Sequence, residues 1–296
     1  MGYIKERKDW IDAALARYLP GEENYPPVIF KAMRYSLFAG GKRIRPVLCL
    51  AAMEAVGAPR DLQRRALPVA CALEMIHTYS LIHDDLPAMD DDDCRRGIPT
   101  SHKVFGEDIA ILAGDALLTE AFGLMANREL MDGIPPERIL EAIHEIAGAA
   151  GCFGMIGGQV VDIRSEGRPV DEETLHYIHT RKTGALIVAS LRSGALLAGA
   201  GPKDMAPLAD YGRSIGLLFQ IVDDILNVEG DASTTGKSTG SDASRGKATF
   251  PAFFGLEKSR TMACALEEQA LAALAGFGER AEPLRTLARH IMARRS

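Results

Sequence analysis

Aromatic residues are scarce, at 6% of 296 positions with a single tryptophan, while Ala, Leu, Ile and Met fill the spaces between charged residues. That balance favours helices over sheets and predicts an all-α protein. Cysteine is sparse too: Cys49, Cys71, Cys94, Cys152 and Cys264 are odd in number, scattered, and form no CxxC pair. Neither a disulfide framework nor a zinc cluster is suggested, and the five thiols read as packing residues of a reducing, cytoplasmic setting. No run of 18 apolar residues occurs, and the opening stretch MGYIKERKDWIDAALARYLPG reads as a charged amphipathic helix rather than a signal peptide. Membrane insertion is not expected. Positive charge is in deficit as well, with a net charge of −6, which argues against a nucleic-acid partner. An anionic ligand must be met by a local basic site.

What is present is a series of helical stretches separated by short breakers at 20–27, 57–59, 131–136, 165–170 and 198–204. Breaks this short predict neighbouring helices packed antiparallel, and with no repeat and no linker the simplest organisation is one domain over 1–296. One segment departs from the pattern. Residues 229–251, EGDASTTGKSTGSDASRGKATFP, form a long Gly/Ser/Thr/Asp run in which Lys237 and Lys247 each follow a glycine. A segment of that kind is a surface excursion or a lid over phosphates.

The chemistry concentrates in SLIHDDLPAMDDDDCRRGIPT, where six aspartates fall within ten positions, 84 to 93, and Arg95 and Arg96 follow. The preceding stretch suits a buried helix with Leu73, His77, Ser80 or Leu81, and Asp84 on one face, ended by Pro87. Asp84 and Asp85 therefore sit at a helix C-terminus, where the dipole already disfavours a carboxylate by about 0.3–1 kcal/mol and a cation must compensate. Oxygen-only ligands suit a hard divalent ion, magnesium rather than zinc, and arginine forks match phosphate oxygens. A solvated acidic loop is the plain alternative. A second cluster lies in MAPLADYGRSIGLLFQIVDDILNVEGD. There Leu208, Tyr211, Ile215, Leu218, Val222 and Ile225 form a packing stripe, while Gly212, Gly216, Gln220, Asp223 and Asn227 share another face, which predicts a glycine-lined cavity wall ending in carboxylates.

The two clusters, about 140 residues apart with GGKRIRP before, RRG after and KTG between, closely resemble those of the trans-prenyltransferases, the short-chain isoprenyl diphosphate synthases, and most of all the bacterial farnesyl diphosphate synthases. DDLPAMD looks like the first aspartate-rich motif with two residues inserted, and FQIVDDILN like the second; the likeness spans nearly the whole chain. It implies an all-helical bundle around a central cavity, usually a homodimer. It further implies that Asp84, Asp85, Asp90 and Asp223 hold about three magnesium ions. Gly41, Lys42 and Arg45, helped by His77 and Arg96, would bind isopentenyl diphosphate, while Arg95, Lys182, Thr183, Gln220, Lys237 and Lys247 would face the allylic diphosphate. The implied reaction is ionisation of dimethylallyl or geranyl diphosphate, attack by the isopentenyl double bond, and loss of a proton without a dedicated side-chain base; Asp84, Asp85, Asp223, Arg95 and Lys182 would be the catalytic set. Asn227 departs from the family by replacing a third aspartate, which predicts slightly weaker magnesium binding, and Val222 is a neutral packing residue. His83 reads as a packing histidine.

In the family, bulk just upstream of the first motif limits product length, and an aromatic five positions before it accompanies a C15 product. Here that residue is Tyr79. Helical geometry puts Ser80 one turn below Asp84 and points Tyr79 well over 90° away, so the floor assignment of Tyr79 and Ser80 rests on the resemblance. The expected product is farnesyl diphosphate. The alternatives are a geranylgeranyl diphosphate synthase, a class I terpene cyclase, and a catalytically silent partner subunit.

Overall fold

A computed structural model describes residues 2–229 and 247–293. The predicted breakers fall where helices stop. The first seven elements are α1 (Gly2–Tyr18), α2 (Pro27–Leu37), α3 (Ile44–Ala55), α4 (Arg60–Arg65), α5 (Leu67–Asp84), and a two-stranded hairpin of β1 (Cys94–Arg95) and β2 (Ile98–Pro99). There follow α6 (Ser101–Phe105), α7 (Glu107–Ala126), α8 (Pro136–Ala150), α9 (Met155–Ser165), α10 (Glu172–Ile178), a π-helical turn at His179–Gly184, α11 (Ala185–Ala198) and α12 (Pro202–Glu229). The chain closes with α13 (Phe250–Phe254), α14 (Leu256–Ala273), a 3-10 segment (Ala275–Ala281) and α15 (Glu282–Ala293). The fold is all-α, as expected, with the hairpin as a small exception. Residues 230–246, which hold most of the expected lid and Lys237, lie outside the described residues.

Contacts group the chain into two compact units, residues 1–47 with 60–139, and residues 48–59 with 140–296. In the first, α5 is the central element: thirteen of its 18 residues are buried, so it is apolar on every side, as a helix enclosed by neighbours must be. It packs on α7, α1 and α2. Pro68 occupies the first turn of α5, and its last helical residue is Asp84, three positions before Pro87. Proline suits the first turn of a helix, where backbone N–H groups lack intrahelical partners, and prevents continuation near the end.

In the second unit, α12 is the hub, packed on α11, the π turn, α13, α14 and α15. The predicted stripe is buried throughout: Leu208, Tyr211, Ile215, Leu218, Val222 and Ile225 are at most 1% exposed. The Tyr211 hydroxyl, fully enclosed, donates to the Leu284 carbonyl at 2.6 Å, which satisfies the one polar group that this stripe buries. The glycines of α12 behave differently from the expectation. A Cβ on Gly216 would lie 3.0 Å from Gly184 Cα, and one on Gly212 would press on Leu191 and Val188. They do not line a cavity wall; they let the π turn and α11 approach the α12 backbone.

Candidate active site

In the first unit the GGKRIRP loop is shaped by left-handed backbone. Gly40, Gly41 and Arg43 have φ of 99°, 127° and 52°, and a Cβ on Gly41 would sit 2.9 Å from the Arg96 guanidinium. Only glycine fits there. Arg43, not singled out by sequence, anchors the loop: 2% exposed, it donates to Asp12 Oδ1 at 2.7 Å, Glu74 Oε1 at 3.0 Å and the Leu37 carbonyl at 2.7 Å. Its neighbour Lys42 is left exposed. The sequence sign of Arg43 was its place in the loop, but nothing in the spacing tied it to Glu74 on α5.

Around this anchor, cations crowd together. Burial, opposed by Glu74 and reinforced by Arg96, pulls the Arg45 guanidinium down to about 10, and Arg45 Nε is enclosed without a hydrogen-bond partner. Desolvation of the guanidinium, together with repulsion from Arg43 and Arg95, likewise lowers Arg96, although the residue as a whole is exposed. His77 is held well below the ordinary imidazole value by burial and by Arg45, Arg96, Arg95 and Arg43; it is neutral at pH 7 and offers a donor rather than a charge. Four guanidiniums with one unsatisfied donor are stabilised by a multivalent anion, and phosphate oxygens match their forks.

The hairpin places the two arginines. Its register pairs Cys94 with Pro99 and Arg95 with Ile98, leaving Arg96 and Gly97 as a two-residue turn with φ of 55° and 81°. Positive φ at both positions is the I′ geometry that matches strand twist. Arg96 reaches back to the Gly40 carbonyl. Arg95 grips Asp85 with its Nε at 2.8 Å from both carboxylate oxygens and its Nη2 at 2.5 Å from Oδ1. Asp85 is 4% exposed, so its carboxylate is turned to Arg95.

The acidic run is not one cluster. Asp93 pairs with Lys103 at 2.7 Å and Asp92 lies 3.6 Å from Arg95. The inserted residues of DDLPAMD fold back, with the Asp90 N–H donating to the Asp84 carbonyl at 2.8 Å, which brings the ends of the motif together. Among the described residues no group of three or more His, Cys, Asp or Glu forms a metal-holding cluster. Magnesium is nonetheless compatible with carboxylates that are all oxygen donors, because it binds through one or two of them plus phosphate oxygens and water rather than in a protein cage. On α5, Tyr79 is 6% exposed and its hydroxyl has no partner, with its ring edge-on to His83 at 5.7 Å. The Ser80 hydroxyl donates to the His77 carbonyl at 2.9 Å. His83 packs as expected, its Nε2 at 3.0 Å from the Ile111 carbonyl against Gly114.

In the second unit the π turn carries Lys182 and Thr183. Lys182 Nζ lies 2.6 Å from Asp162 Oδ2 on α9, and a Cβ on Gly158 would come within 2.2 Å of the Lys182 amide nitrogen. Thr183 Oγ1 donates to Gln220 Oε1 at 3.3 Å, and Gln220 Nε2 donates to Asp224 Oδ1 at 2.8 Å. Thus Lys182, Thr183 and Gln220 come together, joined by Asp162 and Asp224, which sequence reasoning had not assigned. Asp162 ends the segment GQVVD, but no spacing relates it to a lysine 20 positions on. Asp223 is half-buried on α12, and Lys247 is half-buried beyond the undescribed stretch. A separate cavity of 1030 Å³ is lined by Thr180, Arg181, Val188 and Leu217 among others, and holds none of the predicted site residues.

Comparison with known proteins gives this arrangement its context. The polyprenyl synthetase family matches residues 26–276. The chain is 48% identical to the heterodimeric geranylgeranyl pyrophosphate synthase large subunit 1 of Arabidopsis thaliana, over all of this chain and 80% of that protein. It is 50% identical to the farnesyl diphosphate synthase of Geobacillus stearothermophilus, over 86% of this chain and 84% of that one. A crystal structure of an FPP/GFPP synthase from Zymomonas mobilis superposes with a TM-score of 0.86 at 40% identity, covering 98% of this chain and 97% of that one. With a cluster of arginines, two aspartate motifs and relatives of these kinds, the chain belongs to the polyprenyl synthetase family and is a short-chain trans-prenyltransferase.

Proposed function

We propose that the enzyme makes farnesyl diphosphate from isopentenyl diphosphate and dimethylallyl or geranyl diphosphate. The observation that carries the reading is the enclosed Arg45 Nε without a hydrogen-bond partner, in a loop that Arg96 reaches at the Gly40 carbonyl while Arg95 of the same hairpin is held by Asp85. Lys42, Arg45 and Arg96, beside Gly41 and with His77 as a neutral donor, hold the isopentenyl diphosphate. In the first unit Arg95, oriented by Asp85, is assigned to the allylic diphosphate; in the second, Lys182, Thr183, Gln220 and Lys247 carry the same assignment from the family resemblance. The allylic C–O bond breaks, and its electron pair leaves with the diphosphate, whose growing charge these cations stabilise. The isopentenyl double bond forms the new C–C bond, and the adjacent C–H proton passes to the departed diphosphate as the double bond re-forms. Asp84 and Asp90 of the first unit and Asp223 of the second are the carboxylates that would take magnesium by the family resemblance, and the metal would supply Lewis-acid stabilisation of the leaving group; Asp85, engaged by Arg95, supports this set rather than joining it.

The C15 product is supported by Tyr79, buried five positions before Asp84. A geranylgeranyl product is the second reading, favoured by the similarity to the Arabidopsis geranylgeranyl pyrophosphate synthase subunit. The test is incubation with magnesium, isopentenyl diphosphate and each of dimethylallyl, geranyl and farnesyl diphosphates, followed by sizing of the dephosphorylated alcohols. C15 from the first two starters, with farnesyl diphosphate unextended, is the expected result; C20 overturns the product assignment. Tyr79→Ala is expected to lengthen the product toward C20, and an unchanged profile removes Tyr79 from the floor. A cytoplasmic homodimer is the proposed working state.

A further inference from the structure

The cavity of 1030 Å³ in the second unit is built from residues that the proposed reaction does not use. It takes Thr180, Arg181 and Gly184 from the π turn but neither Lys182 nor Thr183, and Arg213 and Leu217 from α12 but neither Gln220 nor Asp223. Its size lies at the upper end of the range of about 300–1,000 Å³ that small-molecule sites occupy. Ala149, Ala185, Val188, Leu217 and Leu266 contribute to its wall, and each is half-buried, so apolar surface faces the opening on several sides. Covering that surface with an apolar chain is favourable.

The charges around the cavity are unevenly compensated. Two carboxylates border it, and both have cations of their own: Glu145 Oε1 accepts from Arg192 Nε at 2.7 Å, and Asp210 pairs with Arg213. Arg181 is different. Among the described residues no carboxylate pairs with it, and its guanidinium stands over the Tyr177 ring at 5.8 Å from the centroid, near the limit of that attraction. One border of an apolar cavity thus carries a cation that an anionic group can meet with charged hydrogen bonds.

We propose that this cavity is a second ligand site, distinct from the two diphosphate sites, that takes an amphiphile with one long apolar chain and an anionic head. The chain lies along Ala149, Ala185, Val188, Leu217 and Leu266, and the head meets Arg181. A prenyl diphosphate and a long-chain fatty acid share that chemistry. The site itself does not depend on the prenyltransferase reading; only the first of these two sources does.

Equilibrium dialysis of the full chain against farnesyl diphosphate, palmitate and farnesol, each below its micelle concentration, tests this. Two variants report on the cavity alone. A Cβ on Gly148, a residue of the cavity wall, meets nothing within 4 Å, so Gly148→Phe puts a ring into open space and is expected to abolish binding there. Arg181→Gln is expected to weaken anion binding there about tenfold or more without changing the binding of uncharged farnesol. Farnesyl diphosphate is expected to bind at two molecules per chain, or palmitate at one, with that cavity-bound molecule lost in Gly148→Phe. Which of the two ligands shows it identifies the source.

The proposal fails if the unmodified chain binds no palmitate and only one farnesyl diphosphate, if the additional molecule survives in Gly148→Phe, or if farnesol binds as tightly as the anions. Should Gly148→Phe not fold, Arg181→Gln decides, and unaltered affinity for the anion overturns the site. Failure of the unmodified protein to elongate any allylic diphosphate, with palmitate still bound and displaced by the variants, would bring down the catalytic reading and leave this one standing.

Discussion

Arg96 holds two requirements in one residue, a backbone at φ 55° and a guanidinium that reaches the Gly40 carbonyl and is proposed to bind isopentenyl diphosphate. For a residue with a Cβ, left-handed backbone costs roughly 1–2 kcal/mol. Arg96→Gly is therefore expected to hold or raise the thermal midpoint while raising the KM for isopentenyl diphosphate about tenfold or more, as loss of a charged hydrogen bond does; parallel melting and kinetics check this. His179 shows the reverse balance. It is 6% exposed with an unpartnered Nε2, and burial, reinforced by Lys182 and opposed by Asp162, lowers it from 6.5 to about 4. A histidine lowered on folding favours the native state above its unfolded value, and that contribution fades as pH falls from about 6.5 toward 4. The shift corresponds to roughly 3 kcal/mol at most. His179→Gln is expected to melt with a flatter pH dependence across that window, measured by thermal unfolding from pH 7.5 to 4.5. The motifs that carry Arg45, Arg95 and Arg96 were legible in the sequence; the contacts of Arg43, Asp162 and Asp224 were not, because each meets a partner on another element, and sequence spacing carries no such contact.

At the scale of elements, the breakers were legible because glycine and proline act locally. Gly199 illustrates this: it ends α11 in the left-handed conformation at φ 80°, its N–H bonded to the Ala195 and Leu196 carbonyls, as a C-terminal glycine does. The π turn at His179–Gly184 had no such local mark. It follows from packing, since Gly158 and Gly216 bring α9 and α12 against its backbone. Gly158→Ala would put a methyl 2.2 Å from the Lys182 nitrogen, so the turn must shift. The expected cost is about 1–3 kcal/mol, with a fall in kcat as Lys182 leaves its place. Gly123→Ala on α7, where a Cβ meets nothing within 4 Å, is the control and should gain up to ~1 kcal/mol from helix propensity. Melting and steady-state rates of the two variants distinguish local crowding from a general effect of alanine.

At the scale of the whole molecule, each unit leaves apolar surface in water. In the second, Phe153 is 86% and Leu140 68% exposed; in the first, Ile111 and Leu112 stand out from α7, an apolar helix only a third buried. Exposed apolar side chains mark an interaction surface where they form a contiguous patch, and the proposed homodimer predicts that Leu140 and Phe153 lie in one. Sedimentation is expected to give twice the chain mass for the unmodified protein, and monomers for the Leu140→Asp/Phe153→Asp double variant. By itself the sequence determined the all-α class, the helix ends and the family. These follow from composition, from glycine and proline, and from charge chemistry, all of which act within a few residues along the chain. Only the tertiary structure decided that Asp85 is turned to Arg95, that Arg43 anchors the GGKRIRP loop to α5, that the α12 glycines admit a helix rather than a ligand, and that Asp224 faces Gln220. Those outcomes depend on which side chains meet after the chain has packed, and the pairs that meet are set by burial and hydrogen-bond satisfaction across elements rather than by distance along the sequence.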